Sequence, residues 1–235
     1  MDSSEGDWQK KLCFKRNVKT QFDLLPEIKL ERIDSPSGRK YITPEGHSYM
    51  SVTTLLGLDR KDGIQKWRDA VGEVEANRIS NRASTRGTIL HENIEQYIKN
   101  EKVSFLINTE LLNYELFKSI RTTIDNIDRV RLQESSLYSD VLRLAGTVDC
   151  VADYEGTPSI IDFKSSTNLK DKWEIDNYFI QTACYSIMIE ERFGLKVKQL
   201  VIIIATEFSK PTTYIDDRKN WIKPLGELLK KHNVI

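Results

Sequence analysis

Asp162 and Lys164 stand two residues apart in the run Ile160-Ile161-Asp162-Phe163-Lys164. On a β-strand that spacing sends both side chains out of the same face. Asp149 lies on the preceding alternating stretch, residues 144–154, which a short turn would fold back alongside. Two carboxylates beside a lysine form an acidic, oxygen-rich pocket of the kind that hard divalent cations such as Mg²⁺ or Mn²⁺ favour. Such a cation would polarise a phosphoryl oxygen and lower the pKa of a bound water. Lys164 would orient that water or neutralise charge in the transition state. An Asp-x-Lys pair on a strand is ordinarily a surface ion pair worth little. Here the two preceding isoleucines carry the strand into a core, and a second acid sits on the neighbouring strand.

Two further constellations accompany this one. In RGTILHENIEQY, His91 and Glu95 share a helix face at i and i+4, although a lone helical histidine is more often packed or exposed than a ligand. In QTACYS, Gln181 and Tyr185 share another face, which an amphipathic helix tucked against a sheet would explain equally well.

The elements that must position these residues follow from periodicity. Residues 1–45 read as a β-rich cap over one end of a sheet, with a turn at Ser35-Pro36-Ser37-Gly38. Helical spacing begins at Ser51, where SVTTLLGL offers a capping hydroxyl and free backbone N–H groups for an anion. It recurs over 64–83, 84–100 and 109–129. The period then changes to strands at 134–142, 144–154 and 160–164. A helix over 178–193 ends at Gly194, LKVKQLVIIIA is an apolar strand, and 221–231 is a last helix. Helices, then β-β-β-α-β, then a helix imply an α/β fold with a mixed central β-sheet flanked by helices and an N-terminal helical region. No glycine-rich phosphate loop joins a strand to a helix.

Taken in order, RGTxxH, GTVD, IIDFK and QxxxY resemble the RecB-type branch of the PD-(D/E)xK nucleases, over about residues 51–206. The resemblance implies a restriction-endonuclease-like core in which His91, Asp149, Asp162 and the carbonyl of Phe163 bind Mg²⁺ or Mn²⁺. Lys164 would be the catalytic lysine, acting with Asp162 and Asp149. Gln181 and Tyr185 would support the catalytic strand and contact the nucleic-acid backbone. Ser51 and Thr53 would meet a phosphate at a helix N-terminus, with Arg86 as a further phosphate contact. Glu134 would be structural or assist a second metal. Val148 stands where the family name has proline, a departure common in this branch.

The resemblance further implies digestion of single-stranded DNA from ends or flaps, with the strand threaded beneath a helical arch drawn from residues 64–129. That region carries Lys66, Arg68, Arg78, Arg82, Arg86 and Lys99, while Trp67 and Tyr97 either stack on bases or belong to the core. A structure-specific endonuclease and a non-catalytic DNA-binding module on the same fold are the competing readings. Protein partners and the polarity of digestion are not legible.

Composition is compatible with this. With 35 basic and 35 acidic residues among 235, the formal charge is zero, so any basic groove must be local. Hydrophobic content of 39% and charged content of 30% describe a globular chain. Cys13, Cys150 and Cys184 lack CxxC spacing, against a zinc or iron–sulfur cluster. No apolar run is long enough for a membrane span. No transit peptide is seen, which gives an expected cytoplasmic location in a bacterium or phage-infected cell. The expected organisation is a lead-in over 1–50, a helical region over 51–132 and a nuclease core over 133–235, the last two forming one domain.

Overall fold

The computed structural model describes residues 11–235; the acidic N-terminus, residues 1–10, lies outside the described residues. In chain order the elements are β1 (Lys11–Phe14), β2 (Glu31–Ser35), β3 (Gly38–Ile42), β4 (Ser48–Ser51), α1 (Val52–Val71), α2 (Glu73–Ile98), β5 (Val103–Leu106) and α3 (Ile107–Ile124). They continue as β6 (Ile127–Ser139), β7 (Leu144–Tyr154), β8 (Thr157–Ser166), α4 (Lys172–Phe193), β9 (Gln199–Thr206), β10 (Thr212–Asp217) and α5 (Lys219–Lys231).

A mixed sheet with path β10-β9-β8-β7-β4-β3-β2 runs through the molecule, and β7 is its pivot. One edge of β7 is covered along its length by antiparallel β6, from Ile127 opposite Tyr154 to Ser139 opposite Leu144. Its other edge is shared. β8 pairs with it only from Tyr154 back to Cys150, while β4 runs parallel beside Leu144 and Ala145. Beyond Cys150 and Ile161, β8 parts from β7 and stays with parallel β9 as far as Ser166.

Helices cover both faces. Ile161, Phe163 and Ile203 pack into one cluster with Leu90 and Ile94 of α2 and Phe117 and Ile120 of α3. Ile160, Ile202 and Ile204 pack into another with Leu55 of α1, Ala183 and Met188 of α4, and Leu228 of α5. Burial on both faces is why β9 reads as a continuous apolar run and not as an alternating one.

Several boundaries differ from the sequence reading. The expected break between residues 83 and 84 is absent: α2 is one helix of 26 residues. The break falls at Gly72, whose φ of +85° is open to glycine and strained for other residues. β5 and β10 were not expected, being short or largely polar, as in Thr212–Asp217 (TTYIDD). The lead-in is not a separate cap, because the β2–β3–β4 meander joins the main sheet through β7. Tyr97 is 1% exposed and belongs to the core. No helix among the described residues is long and apolar enough to cross a membrane.

Candidate active site

The parting of β7 and β8 creates the site. Asp149 and Asp162 are the next residues beyond the last pair, Cys150 opposite Ile161, so the two carboxylates face the gap where the strands separate. Asp162 is 2% and Asp149 8% exposed. An Asp149 oxygen accepts the backbone N–H of Phe163 at 2.8 Å, fastening the two strands across the fork. Glu134 on β6 lies between the pairs Gln133–Cys150 and Ser135–Val148, hence opposite Asp149. Its φ is +46°, in the left-handed region, which costs a non-glycine residue about 1–2 kcal/mol. Such strain collects where a side chain is re-aimed for function.

His91 reaches the fork from α2. Its Nε2 lies 2.8 Å from the Phe163 carbonyl and 3.8 Å from Asp149 Oδ2, and its Nδ1 lies 3.2 Å from Glu134. Burial pulls the imidazole pKa down, but the Asp149 and Glu134 carboxylates outweigh it and push the value up to about 9. His91, Glu134 and Asp149 each bring a ligand atom within 4.8 Å of the others. A cavity of about 400 Å³ opens at His91 and Glu134.

Lys164 completes the group. Its Nζ lies 2.5–2.6 Å from the two oxygens of Asp162, yet only Oδ1 is aligned to accept a hydrogen bond. Oδ2 is buried without such a partner. Burial pushes the Asp162 carboxyl up to about 6; Lys164 draws it back and Asp149 adds to the rise. Burial works against the Lys164 ammonium, but Asp162 and Asp149 prevail and hold its pKa above the ordinary value. The Tyr178 ring sits 5.1 Å from Nζ, a cation–π contact absent from the sequence reading. Its signal was present: residues 178, 181 and 185 lie at i, i+3 and i+7 on one helix face.

This donor set fits a hard divalent cation. It offers carboxylate oxygens, one imidazole and a backbone carbonyl, with no thiolate. The crowded carboxylates raise Asp162, and one of its oxygens lacks an aligned donor; added positive charge would relieve both.

The other expected site residues lie as follows. Tyr185 is 2% and Gln181 7% exposed. Tyr185 lies beneath β7 at Gly146, where an added Cβ would fall 2.7 Å from the phenolic oxygen. That burial suits support of the strand and leaves Tyr185 no surface for a DNA backbone. Ser51 caps α1, accepting Thr54 N–H at 3.0 Å, and is 1% exposed. Thr53 is exposed in the first turn. Arg86 does not stand free for a phosphate. It is buried, donating to Ser165 and Thr167 hydroxyls, the Ser165 carbonyl and Glu207. Glu207, whose side chain is 3% exposed, also holds Arg82 at 2.7 Å; it follows an apolar strand with no local motif to mark it.

Within the stretch 64–129 expected to supply an arch, the hairpin of α1 and α2 is exposed over most of its residues up to 85. Its cations are largely neutralised. Arg68 pairs with Glu73, Arg78 with Glu75, Arg82 with Glu207, and Lys99 at the foot of α2 with Glu95. Lys66 is exposed.

Comparison with known proteins bears on the family. The chain is 23% identical over 157 residues to mitochondrial genome maintenance exonuclease 1 of Homo sapiens, covering 63% of this chain and 45% of that protein. It is 23% identical over 213 residues to the Mus musculus protein of the same name, covering 83% and 62%. The chain thus spans less than two thirds of the length of either relative. A crystal structure from Eubacterium rectale, assigned provisionally as an exonuclease, overlaps with a TM-score of 0.39 and 16% identity, covering 63% of this chain and 64% of that one. That likeness is too slight to carry an argument. Residues 108–229, just over half the chain and including β6 through most of α5, match the family model of the PD-(D/E)XK nucleases. The chain belongs to the PD-(D/E)XK nuclease superfamily.

Proposed function

We propose that the protein is a divalent-metal-dependent deoxyribonuclease that trims single-stranded DNA from ends or flaps. The observation that carries the reading is the fork, where His91, Glu134, Asp149 and Asp162 converge beside a half-buried, charged Lys164. His91, Asp149, Asp162 and the Phe163 carbonyl would hold Mg²⁺ or Mn²⁺, with Glu134 joining them or serving a second ion. When bound, the ion supplies Lewis-acid stabilisation at the phosphoryl group.

The chain's own residues do the rest. Asp149 braces β8 through the Phe163 N–H. Lys164 stays an ammonium, so it contributes charge to the phosphoryl oxygens and orients a water instead of abstracting its proton. Tyr178 and Asp162 keep that ammonium in place. Action from ends is supported by the relatives, which are named as exonucleases, and preference for a single strand by the exposed α1–α2 hairpin.

The test is a time course on end-labelled linear single-stranded DNA and a closed single-stranded circle, with Mg²⁺, Mn²⁺ or chelator. Wild type should shorten the linear strand only with metal and leave the circle intact. Lys164→Ala should slow cleavage by roughly 10²–10³-fold, as for loss of one transition-state donor. Cleavage by Lys164→Ala at the wild-type rate would overturn the assignment. Cutting of the circle would replace the end-dependent mode with an endonucleolytic one.

A further inference from the structure

Two tryptophans stand open to solvent on a single cavity. Trp67 of α1 is 36% and Trp173, in the first turn of α4, 52% exposed. With Arg60, Gly63 and Ile64 they line a space of about 480 Å³ between the two helices. By contrast Trp221 is stacked on Phe179 at 4.9 Å and partly buried. Leaving indole surface in water forfeits burial that Trp221 obtains, so the open pair calls for an occupant.

Three observations say what kind. The acidic residues on the cavity are already neutralised, Asp59 by Lys231 and Glu174 by Lys170. Arg60 has no acidic partner among the described residues, and its Nε lacks an acceptor. The cavity therefore presents flat aromatic faces and one unspent cation, complementary to a base and its phosphate. The floor is open too, since a Cβ at Gly63 would meet nothing within 4 Å, although alanine would suit that helix interior better by about 1 kcal/mol.

Position supplies the third. β8 leads from Lys164 directly into the segment 167–171 and then to Trp173. Five residues along the same helix, a rise of about 7.5 Å, Tyr178 packs on Lys164. The cavity thus lies on the helix that braces the lysine, a short span of strand from the fork.

We infer that Trp67 and Trp173 form a base-stacking subsite that grips a nucleobase of the single strand a few nucleotides from the bond to be cut, with Arg60 on its phosphate. The inference rests on the proposed nuclease reading and deepens it by assigning base contact to a surface away from the metal ligands. The subsite binds any base, because stacking requires only a π-face. Its role is to hold the strand, so it governs affinity while leaving the chemical step alone.

The experiment uses the full chain in chelator, titrated with an oligothymidylate and with an abasic oligomer of the same length, read by tryptophan fluorescence and by anisotropy of the labelled strand. Wild type should bind the oligothymidylate more tightly than the abasic oligomer, with indole quenching. Trp67→Ala and Trp173→Ala should each weaken oligothymidylate binding by roughly 5- to 150-fold and leave abasic binding as it was; in a separate cleavage assay with metal, each should raise KM and leave kcat unchanged. Trp173→Phe should recover most of the loss. Equal affinity of wild type for the two oligomers would overturn the inference without recourse to any variant, as would unchanged binding by both alanine variants. Metal-dependent cleavage that survives such a result would leave the nuclease standing and remove only the subsite. Absence of both cleavage and binding would remove both.

Discussion

Deprotonating His91 should destabilise the metal-free protein by a predictable amount. Nε2 faces the Phe163 carbonyl, which can only accept, and Nδ1 faces the Glu134 carboxylate. Both ring nitrogens can donate only when the imidazole is charged. Its pKa is pushed up to about 9 from an ordinary 6.5, so the folded state binds the proton more tightly than the unfolded chain does. The resulting stability is fully present below pH 6.5 and is lost as pH rises through 9. A difference of this size is worth roughly 3 kcal/mol. That figure is an upper bound, since the side chain is 27% exposed and solvent screens part of the field. For a chain of this length it corresponds to a fall in Tm of about 6–12 °C. The assay is thermal and urea unfolding in chelator from pH 6 to 9.5, for wild type and His91→Gln. Wild type should lose stability across pH 6.5–9, and the variant should be much flatter there. Equal slopes would refute the argument. A cation at the fork must take the place of this proton, so Mn²⁺ affinity should rise towards pH 9, by up to about tenfold per pH unit. An affinity independent of pH in that window would remove His91 from the ligand set.

Two structural perturbations bear on the same site. Gly146→Ala puts a methyl 2.7 Å from the Tyr185 oxygen, an overpacking that should cost about 1–3 kcal/mol and lower activity by shifting β7. Tyr185→Phe in the same chain should restore part of both in urea unfolding and cleavage assays, and no recovery would show that the clash lies elsewhere. Glu207→Gln leaves buried Arg86 without its carboxylate, and breaking such a pair costs about 3–5 kcal/mol. Unfolding should show this loss, and a stability change under 1 kcal/mol would mean that the Ser165 and Thr167 bonds alone hold Arg86.

Much of this was legible in the linear chain. Asp162 and Lys164 are two apart on a strand, so their shared face follows from the pleat alone. β7, whose bounds agree with the reading, is marked by its own alternation and by turns at either end. The helical spacing of Gln181 and Tyr185 and the termination of α4 at Gly194 are equally local properties. The sequence by itself therefore determined which of these residues share a face and which elements bear them. What it left open depends on contacts between distant segments. That β8 leaves β7 after Cys150 and Ile161, opening the gap that Asp149 and Asp162 face, goes with two pairings made by distant segments: β9 holds β8 as far as Ser166, and β4 lies beside β7 at Leu144 and Ala145. That Glu134 stands opposite Asp149 follows from the β6–β7 register, which no local pattern encodes. Arg86 has the same residue type whether it meets a phosphate or a buried carboxylate. It turns inward to meet Ser165, Thr167 and, 121 residues later in the chain, Glu207. Trp67 and Trp173 likewise share a cavity because α1 and α4 cover the same face of the sheet. Periodicity is a short-range record of which side of an element is buried; which other element lies there is settled by the packing of the whole chain.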